Sequence, residues 1–263
     1  MAMVEAETLS ALARCPIFAG LGEPELSLVR AEATERTLAR HEVLFREGEA
    51  ADVFTVVLAG RVKLTQLGAD GQEVIVRYLG PGDMCAAVAM FPGNAYPATA
   101  AAVGAVRVLL WQRERIDALL HRLPALALNA MRVLSERVRE LQDRVRELAT
   151  EKVAQRIARA LIRLARQTGK RVDEGVLIDM PLSREDLAKM TGTTLFTVSR
   201  VLSEWEAAAI VATGRERVVI RRPHGLVAIA EELPDRPPRR EATGESKQEE
   251  GRRKKKRNKK HSS

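Results

Sequence analysis

Cys15 and Cys85 have the plainest capacity for redox or metal chemistry, and their placement argues against both. They stand seventy residues apart with no CxxC spacing, which does not support a disulfide scaffold, a zinc ribbon or a cysteine-ligated iron–sulfur cluster and suits a reducing cytoplasm. The spacings of common catalytic machinery are missing too. The sequence has no GxxxxGK followed by Ser or Thr, no HExxH, no GxSxG and no pair of carboxylates that spacing brings together, so an enzyme is the weakest reading. The charge offers electrostatic chemistry instead. Net charge is +8 and the pI is near 9.9, but residues 234–263 hold 12 Lys/Arg against 5 Asp/Glu and the rest of the chain 31 against 30. The alkaline pI is therefore a property of the tail. A polycation such as its GRRKKKRNKK block releases counterions from a phosphate backbone and raises non-specific, salt-sensitive affinity for nucleic acid; a solubilising tail is an equal alternative.

Positioning groups requires cores, and 263 residues with 46% hydrophobic content suffice for two domains. The opening MAMVEAETLS is acidic where a signal peptide would be basic, and the longest apolar run, Pro97 to Trp111, is broken by Arg107, short of a membrane span. A helical lead-in (LSALARCPIFAGLGEPELSLVR) gives way after about Thr34 to strand-like runs, DVFTVVLAG, RVKLTQLG and QEVIVRYLG. Gly60, Gly68 to Gly71 and the Gly80–Pro81–Gly82–Asp83 turn punctuate them, the pattern of an antiparallel sandwich or barrel. This β signal ends near Trp111.

From Arg113 the period becomes helical, with RERIDALLHRL and then a long helix whose first residue is expected at Pro124. Along it Ala127, Met131, Leu134, Val138, Leu141, Val145 and Leu148 recur at alternating spacings of four and three. With Met/Val/Val at a and Ala/Leu/Leu/Leu at d, this heptad seam favours two parallel strands, the alternative being one amphipathic helix packed on its own β domain. After Ala149, KVAQRIARALIRLARQTG forms another amphipathic helix running to a glycine stop and a loop. SREDLAKMTG then reads as a helix capped by Ser183 with Asp186 in a capping-box position and Gly192 as its stop. TTLFTVSRVLSEWEAAAIV opens a second helix capped by Thr194, and IVATGRERVVIRRP is a hairpin turning at Gly214. Helix, glycine turn, helix and hairpin together have the form of a winged helix-turn-helix. From Pro234 the sequence has almost no apolar side chains and is expected to be disordered.

With a β domain, a dimerising helix and a helix-turn-helix in that order, the chain resembles the Crp/Fnr family of bacterial transcription regulators over residues 12–233. EVLFREGEAADVFTVVLAGRVKL and LGPGD are similar to the family's jelly-roll glycine framework, and LSREDLAKMTGTTLFTVSRVL to its DNA-reading unit. The resemblance implies an α+β fold: an effector-sensing antiparallel β jelly roll (1–123), a parallel dimerisation helix (124–149), a winged helix-turn-helix (150–233) and the basic tail (234–263). It also implies double-stranded DNA, a second copy of the chain and RNA polymerase as partners. Met131, Leu134, Val138, Leu141, Val145 and Leu148 are its dimerisation residues, and a hinge falls near Ala149–Thr150.

By position in the motif, Leu195, Phe196, Ser199 and Arg200 project from the first two turns of the recognition helix that Thr194 caps. The family's arginine at Arg200 reads guanine, and a guanidinium fork matches the O6/N7 pair of that base. Ser199 matches the serine of the Fnr branch, while Arg184 and Thr197 resemble phosphate contacts that fix register. The chain departs from the family at Phe196, where many members carry glutamate. A phenyl ring can offer only apolar contact or stacking, with a thymine methyl as its partner, unless it packs inward. Val198, Val201 and Leu202 lie on the opposite face as core residues. The alternative function is an effectorless architectural protein that coats DNA through the tail.

The effector site is where the resemblance carries least. Members that bind cyclic AMP hold ribose and phosphate with a Gly-Glu pair after the PGD turn, an Arg-Ser pair and a Thr-Ser pair on the dimer helix. These positions read Ala86–Ala87, Pro97–Ala98 and Leu141–Gln142, which argues against cyclic AMP. An iron–sulfur cluster is argued against as well, since the N-terminus supplies only Cys15 of four cysteinyl ligands. What remains is an apolar pocket of Met84, Cys85, Val88, Met90, Tyr96 and the facing helix. Such a wall admits haem, with Cys85 and His41 as conceivable ligands, another hydrophobic effector, or none. The bland reading of the two candidates is a small buried thiol and an exposed strand-edge imidazole.

Overall fold

A computed structural model describes residues 2–91 and 93–233; the stretch from Pro234, expected to be disordered, lies outside the described residues. The lead-in forms α1 (Ala2–Arg14), a 3-10 turn (Pro16–Phe18) and α2 (Glu23–Ala31). Eight strands follow: β1 (Thr34–Leu38), β2 (Val43–Phe45), β3 (Val53–Ala59), β4 (Val62–Leu67), β5 (Glu73–Leu79), β6 (Met84–Cys85), β7 (Thr99–Ala102) and β8 (Val106–Gln112). They pair antiparallel in two four-stranded sheets, β1-β8-β3-β6 and β2-β7-β4-β5. Phe18, Phe54 and Trp111, all fully buried, cluster with ring centroids 5.6–6.5 Å apart. The Trp111 indole N–H donates to the Val29 carbonyl at 2.8 Å, so the apolar ring is buried without an orphaned donor. Gly60 is required by close approach. Its φ is +79°, and a Cβ there would lie 2.3 Å from the Ala105 carbonyl oxygen.

After α3 (Arg113–Arg122) the long helix α4 spans Ala125–Thr150, about 39 Å at 1.5 Å per residue. Pro124, expected as its first residue, sits one position earlier as the cap with helical φ of −56°. The first turns of α4 anchor it: Leu126, Asn129, Ala130 and Val133 are buried, and the Asn129 amide donates to the carbonyls of Ile17 and Ala19 at 3.0 and 2.8 Å. Beyond Val133 its apolar seam faces outward. α4 and α5 (Val153–Thr168) part at Glu151–Lys152, just past the expected hinge.

The remaining elements are β9 (Gly169–Val172), β10 (Gly175–Ile178), α6 (Arg184–Thr191), α7 (Leu195–Ala207), β11 (Val211–Gly214), β12 (Arg217–Ile220) and α8 (Pro223–Ala230). Two expectations are corrected here. Gly169 does not stop the chain in a loop but starts a β9–β10 hairpin, which joins the wing as a sheet ordered β11-β12-β10-β9. A Cβ at Gly169 would fall 2.2 Å from the Ala165 carbonyl oxygen, so this glycine lets the strand leave the helix directly. The wing turns at Arg215–Glu216, with Glu216 at φ +53°, while Gly214 is still paired with Arg217. The glycine borders the turn instead of making it.

The β roll also docks on the helix-turn-helix of its own chain. Ile75 and Tyr78 of β5 are buried in the same apolar cluster as Leu187, Met190, Val198 and Trp205. Lys189 of α6 bridges Glu73 at 3.0 Å, Lys63 completes the cluster at 3.3 Å, and Arg61 donates to the Asp179 carbonyl at 3.3 Å.

Candidate DNA interface and effector site

The start of α6 is fixed by reciprocal bonds. The Ser183 hydroxyl accepts the Asp186 N–H at 3.0 Å and the Asp186 carboxylate accepts the Ser183 N–H at 3.0 Å. Gly192 ends the helix at φ +61°, a conformation that favours glycine. The chain then re-enters a helix at once, because the Thr194 hydroxyl accepts the Thr197 N–H at 3.2 Å and starts α7. Val198, Val201, Leu202 and Trp205, spaced three and four apart, bury the inner face of α7 at 0–6% exposure. The turn between the helices therefore has fixed local caps and a packed floor.

The opposite face carries the residues singled out from sequence. Phe196 is 78% exposed and Leu195 52%, so the ring does not pack inward. Arg200 is exposed one turn further on and pairs with Glu204 at 2.9 Å; Thr197 and Ser199 are half-buried. An exposed i,i+4 ion pair on a helix is worth about 0.3–0.5 kcal/mol, a weak hold on this guanidinium. Thr197 shares its hydroxyl with Thr194 at 2.9 Å. Arg184 reaches the Thr213 hydroxyl at 3.3 Å, and Thr213 is held in turn by Glu206 at 2.7 and 2.9 Å. This chain of bonds ties α6 to the wing strand. Arg215 and Arg217, exposed at the wing tip, are two further cations that sequence reasoning passed over; the GRER run at a hairpin tip was the available signal.

An arginine-rich clasp joins this unit to the end of α4. Arg163 of α5 holds both Glu147 carboxylate oxygens at 2.7 and 3.0 Å, and Arg159 holds those of Glu151 at 2.9 and 3.0 Å. Arg156 donates to the Thr191 carbonyl at 3.1 Å. Burial pushes the Glu147 carboxyl above its ordinary range even with Arg144 and Arg159 near it.

The expected pocket residues sit differently. Met84, Cys85, Met90 and Tyr96 are buried in the roll core, with Ala86, Ala87 and Val88 half-buried beside them. Ala86 has φ +63° and leads into a 3-10 turn, Ala87–Met90. Tyr96 is engaged within the roll. Its ring stacks on Phe45 at 3.9 Å, and its hydroxyl accepts the Val53 N–H at 3.0 Å while donating to the Val53 carbonyl at 3.2 Å. Ala98 is buried, Pro97 is exposed with its carbonyl accepting from Gln66 at 2.7 Å, and Leu141 and Gln142 lie exposed on α4.

These residues do not fit cyclic AMP, because the methyl groups of Ala86 and Ala87 give a ribose hydroxyl or phosphate nothing to bond. Nor do they fit a Cys85–His41 pair on haem iron. Cys85 is 1% exposed and burial pushes its thiol far above the ordinary range, opposing the thiolate that ligation needs. His41 lies on an exposed turn at φ +66°. Burial pushes the Cys15 thiol up to about 12. Among the described residues no group of three or more His, Cys, Asp and Glu could hold a metal ion, and no helix is long and apolar enough to cross a membrane.

Comparison with known proteins places both halves. Residues 35–122 match the cyclic nucleotide-binding domain and residues 155–229 the Crp-like helix-turn-helix domain. The chain is 30% identical to a cyclic AMP receptor protein of Thermus thermophilus, over 82% of this chain and 96% of that one. It is 31% identical to the transcriptional activatory protein AadR of Rhodopseudomonas palustris, over 77% and 82%. Among solved structures, FixK2 from Bradyrhizobium japonicum aligns over 75% of this chain and 96% of its own with a TM-score of 0.66 at 25% identity. A CRP-family transcriptional regulator from Thermus thermophilus aligns over 76% and 98% with a TM-score of 0.63 at 27% identity.

Proposed function

Because the chain belongs to the Crp/Fnr family of DNA-binding transcription regulators, we propose that it acts as a homodimer whose two recognition helices read an imperfect palindrome. The observation that carries this reading is the outer face of α4. Met131, Leu134, Val138, Leu141, Val145 and Leu148 are all 42–67% exposed, a stripe about 26 Å long at 1.5 Å per residue. Parallel pairing through a and d positions buries such a stripe and sets two copies of α7 side by side. Major grooves on one face of a duplex recur about every 34 Å. Arg200 then reads a guanine, Ser199 and Leu195 lie beside it, and Arg184, Thr197 and the wing arginines Arg215 and Arg217 contact phosphates.

The signal entering the β roll is a small effector other than cyclic AMP, held by apolar contacts and backbone groups, or none. Its route to DNA runs through the Glu147–Arg163 and Glu151–Arg159 clasp, and RNA polymerase is the partner once DNA is bound. The test is Leu141→Lys in the full chain, read by sedimentation and footprinting. The wild type is expected to be a dimer protecting one palindrome. The variant is expected to be a monomer at micromolar concentration without that footprint. A variant that stays dimeric overturns the seam, and a wild type that coats DNA irrespective of sequence overturns specific regulation in favour of an architectural role.

A further inference from the structure

Phe196 is the most exposed aromatic side chain in a chain where aromatics are only 3% of residues. Phe18, Phe45 and Phe54, both tryptophans and both tyrosines are buried. An apolar ring left in water at the head of a helix has no folding rationale, and the Thr194 cap, whose hydroxyl accepts the Thr197 N–H, fixes the helix start that presents it. Its setting narrows the occupant. Arg200 stands four residues on, hence on the same face about 6 Å along the axis, with the Arg184 side chain and the wing cations on the flanking elements. Such a cationic surround suits a polyanion better than an apolar protein partner.

On the proposed reading of α7 as the major-groove helix, on which this inference rests, we propose that Phe196 reads the C5-methyl group of a thymine. In that groove a base edge offers donors, acceptors or one methyl, and a phenyl ring has no acceptor for the cytosine amino group and no donor for guanine. Four residues of helix, about 6 Å, match no more than two base-pair steps of about 3.4 Å. The half-site should therefore hold a thymine within two base pairs of the guanine that Arg200 reads. Leu195, exposed beside the ring, closes the water-facing side of the contact.

The experiment selects binding sites for the full-length protein from a randomised synthetic duplex, which contains no 5-methylcytosine, so thymine is the sole source of a methyl. Each half-site thymine is then replaced singly by deoxyuridine, which deletes only that methyl. One replacement, within two base pairs of the guanine, is expected to weaken binding about 4-fold, the effect of one buried methyl. In Phe196→Ala the same replacement should have no further effect. Tolerance of uracil at every position, or an undiminished uracil penalty in Phe196→Ala, overturns the assignment. Arg200→Ala on the same sites separates the premise: if no sequence is enriched, or Arg200→Ala binds the selected site as well as wild type, the recognition-helix reading fails with it.

Discussion

The outer face of α7 and the interior of the β roll hold the two sets of residues that family resemblance singles out, and the fold treats them oppositely. On α7, Leu195, Phe196 and Arg200 stand in water, with a single exposed ion pair as the only competitor. In the roll, Met84, Cys85 and Tyr96 are sealed into the core, and Tyr96 has both its ring and its hydroxyl engaged. A group whose bonding capacity is unused, or held only by a weak exposed contact, stays open to an external partner. By that criterion the outer face of α7 is open to a partner, while Met84, Cys85 and Tyr96 are committed to the core.

The contrast is sharpest at Tyr96. If the residue is structural, Tyr96→Ala removes a stacked ring and two backbone hydrogen bonds from a buried site, and about 3–5 kcal/mol of stability should be lost. Urea unfolding followed by tryptophan fluorescence, which Trp111 reports from the same core, measures it. A loss under about 1 kcal/mol would mean that Tyr96 is a free pocket wall and would remove the contrast. Arg200→Ala should behave in the reverse manner. Its unfolding midpoint should stay within experimental scatter, while affinity for the selected site falls by about 1–3 kcal/mol and non-specific affinity is retained. Equal losses on specific and random duplexes would reassign Arg200 to the phosphate backbone.

What was legible in the sequence divides along the range of the interactions involved. Ser183, Asp186, Gly192 and Thr194 announce the helix-turn-helix because caps act over three or four residues, and Val198, Val201 and Leu202 follow from one helical period. The seam on α4 is legible for the same reason. The engagement of Tyr96 gives no such local sign, because its partners, Phe45 and Val53, lie more than forty residues away and no local pattern names them. The β9–β10 hairpin was missed because four-residue strands give no period to count. β5 shows how a bulge defeats alternation. Register slips so that Ile75 pairs with Thr65 and Arg77 with Leu64, leaving Val76 extra. Ile75 and Tyr78, three residues apart, then share the buried face against α6. Strict alternation would have put them on opposite faces.

That β5–α6 contact links the two compared regions, and its charged rim gives the smallest effect. Burial alone would raise the Glu73 carboxyl, but hydrogen bonds and charge from Lys189 and Lys63 outweigh it and hold the group below the ordinary carboxylate range. A lowered folded-state value means that the pair stabilises the folded chain fully above the unfolded carboxylate range and loses that contribution as pH falls through the lowered value. Glu73 and Lys189 side chains are 30% and 27% exposed, so solvent screening keeps the contribution to about 0.5–1 kcal/mol. Glu73→Gln should then be less stable than wild type by that amount at pH 7, with the difference closing as the solution is acidified below pH ~4. Denaturant titrations of both proteins across that range measure it. A gap that is unchanged in acid would mean that Glu73 supports α6 by packing alone, and the roll would then hold the DNA-reading unit through Ile75 and Tyr78 without help from charge.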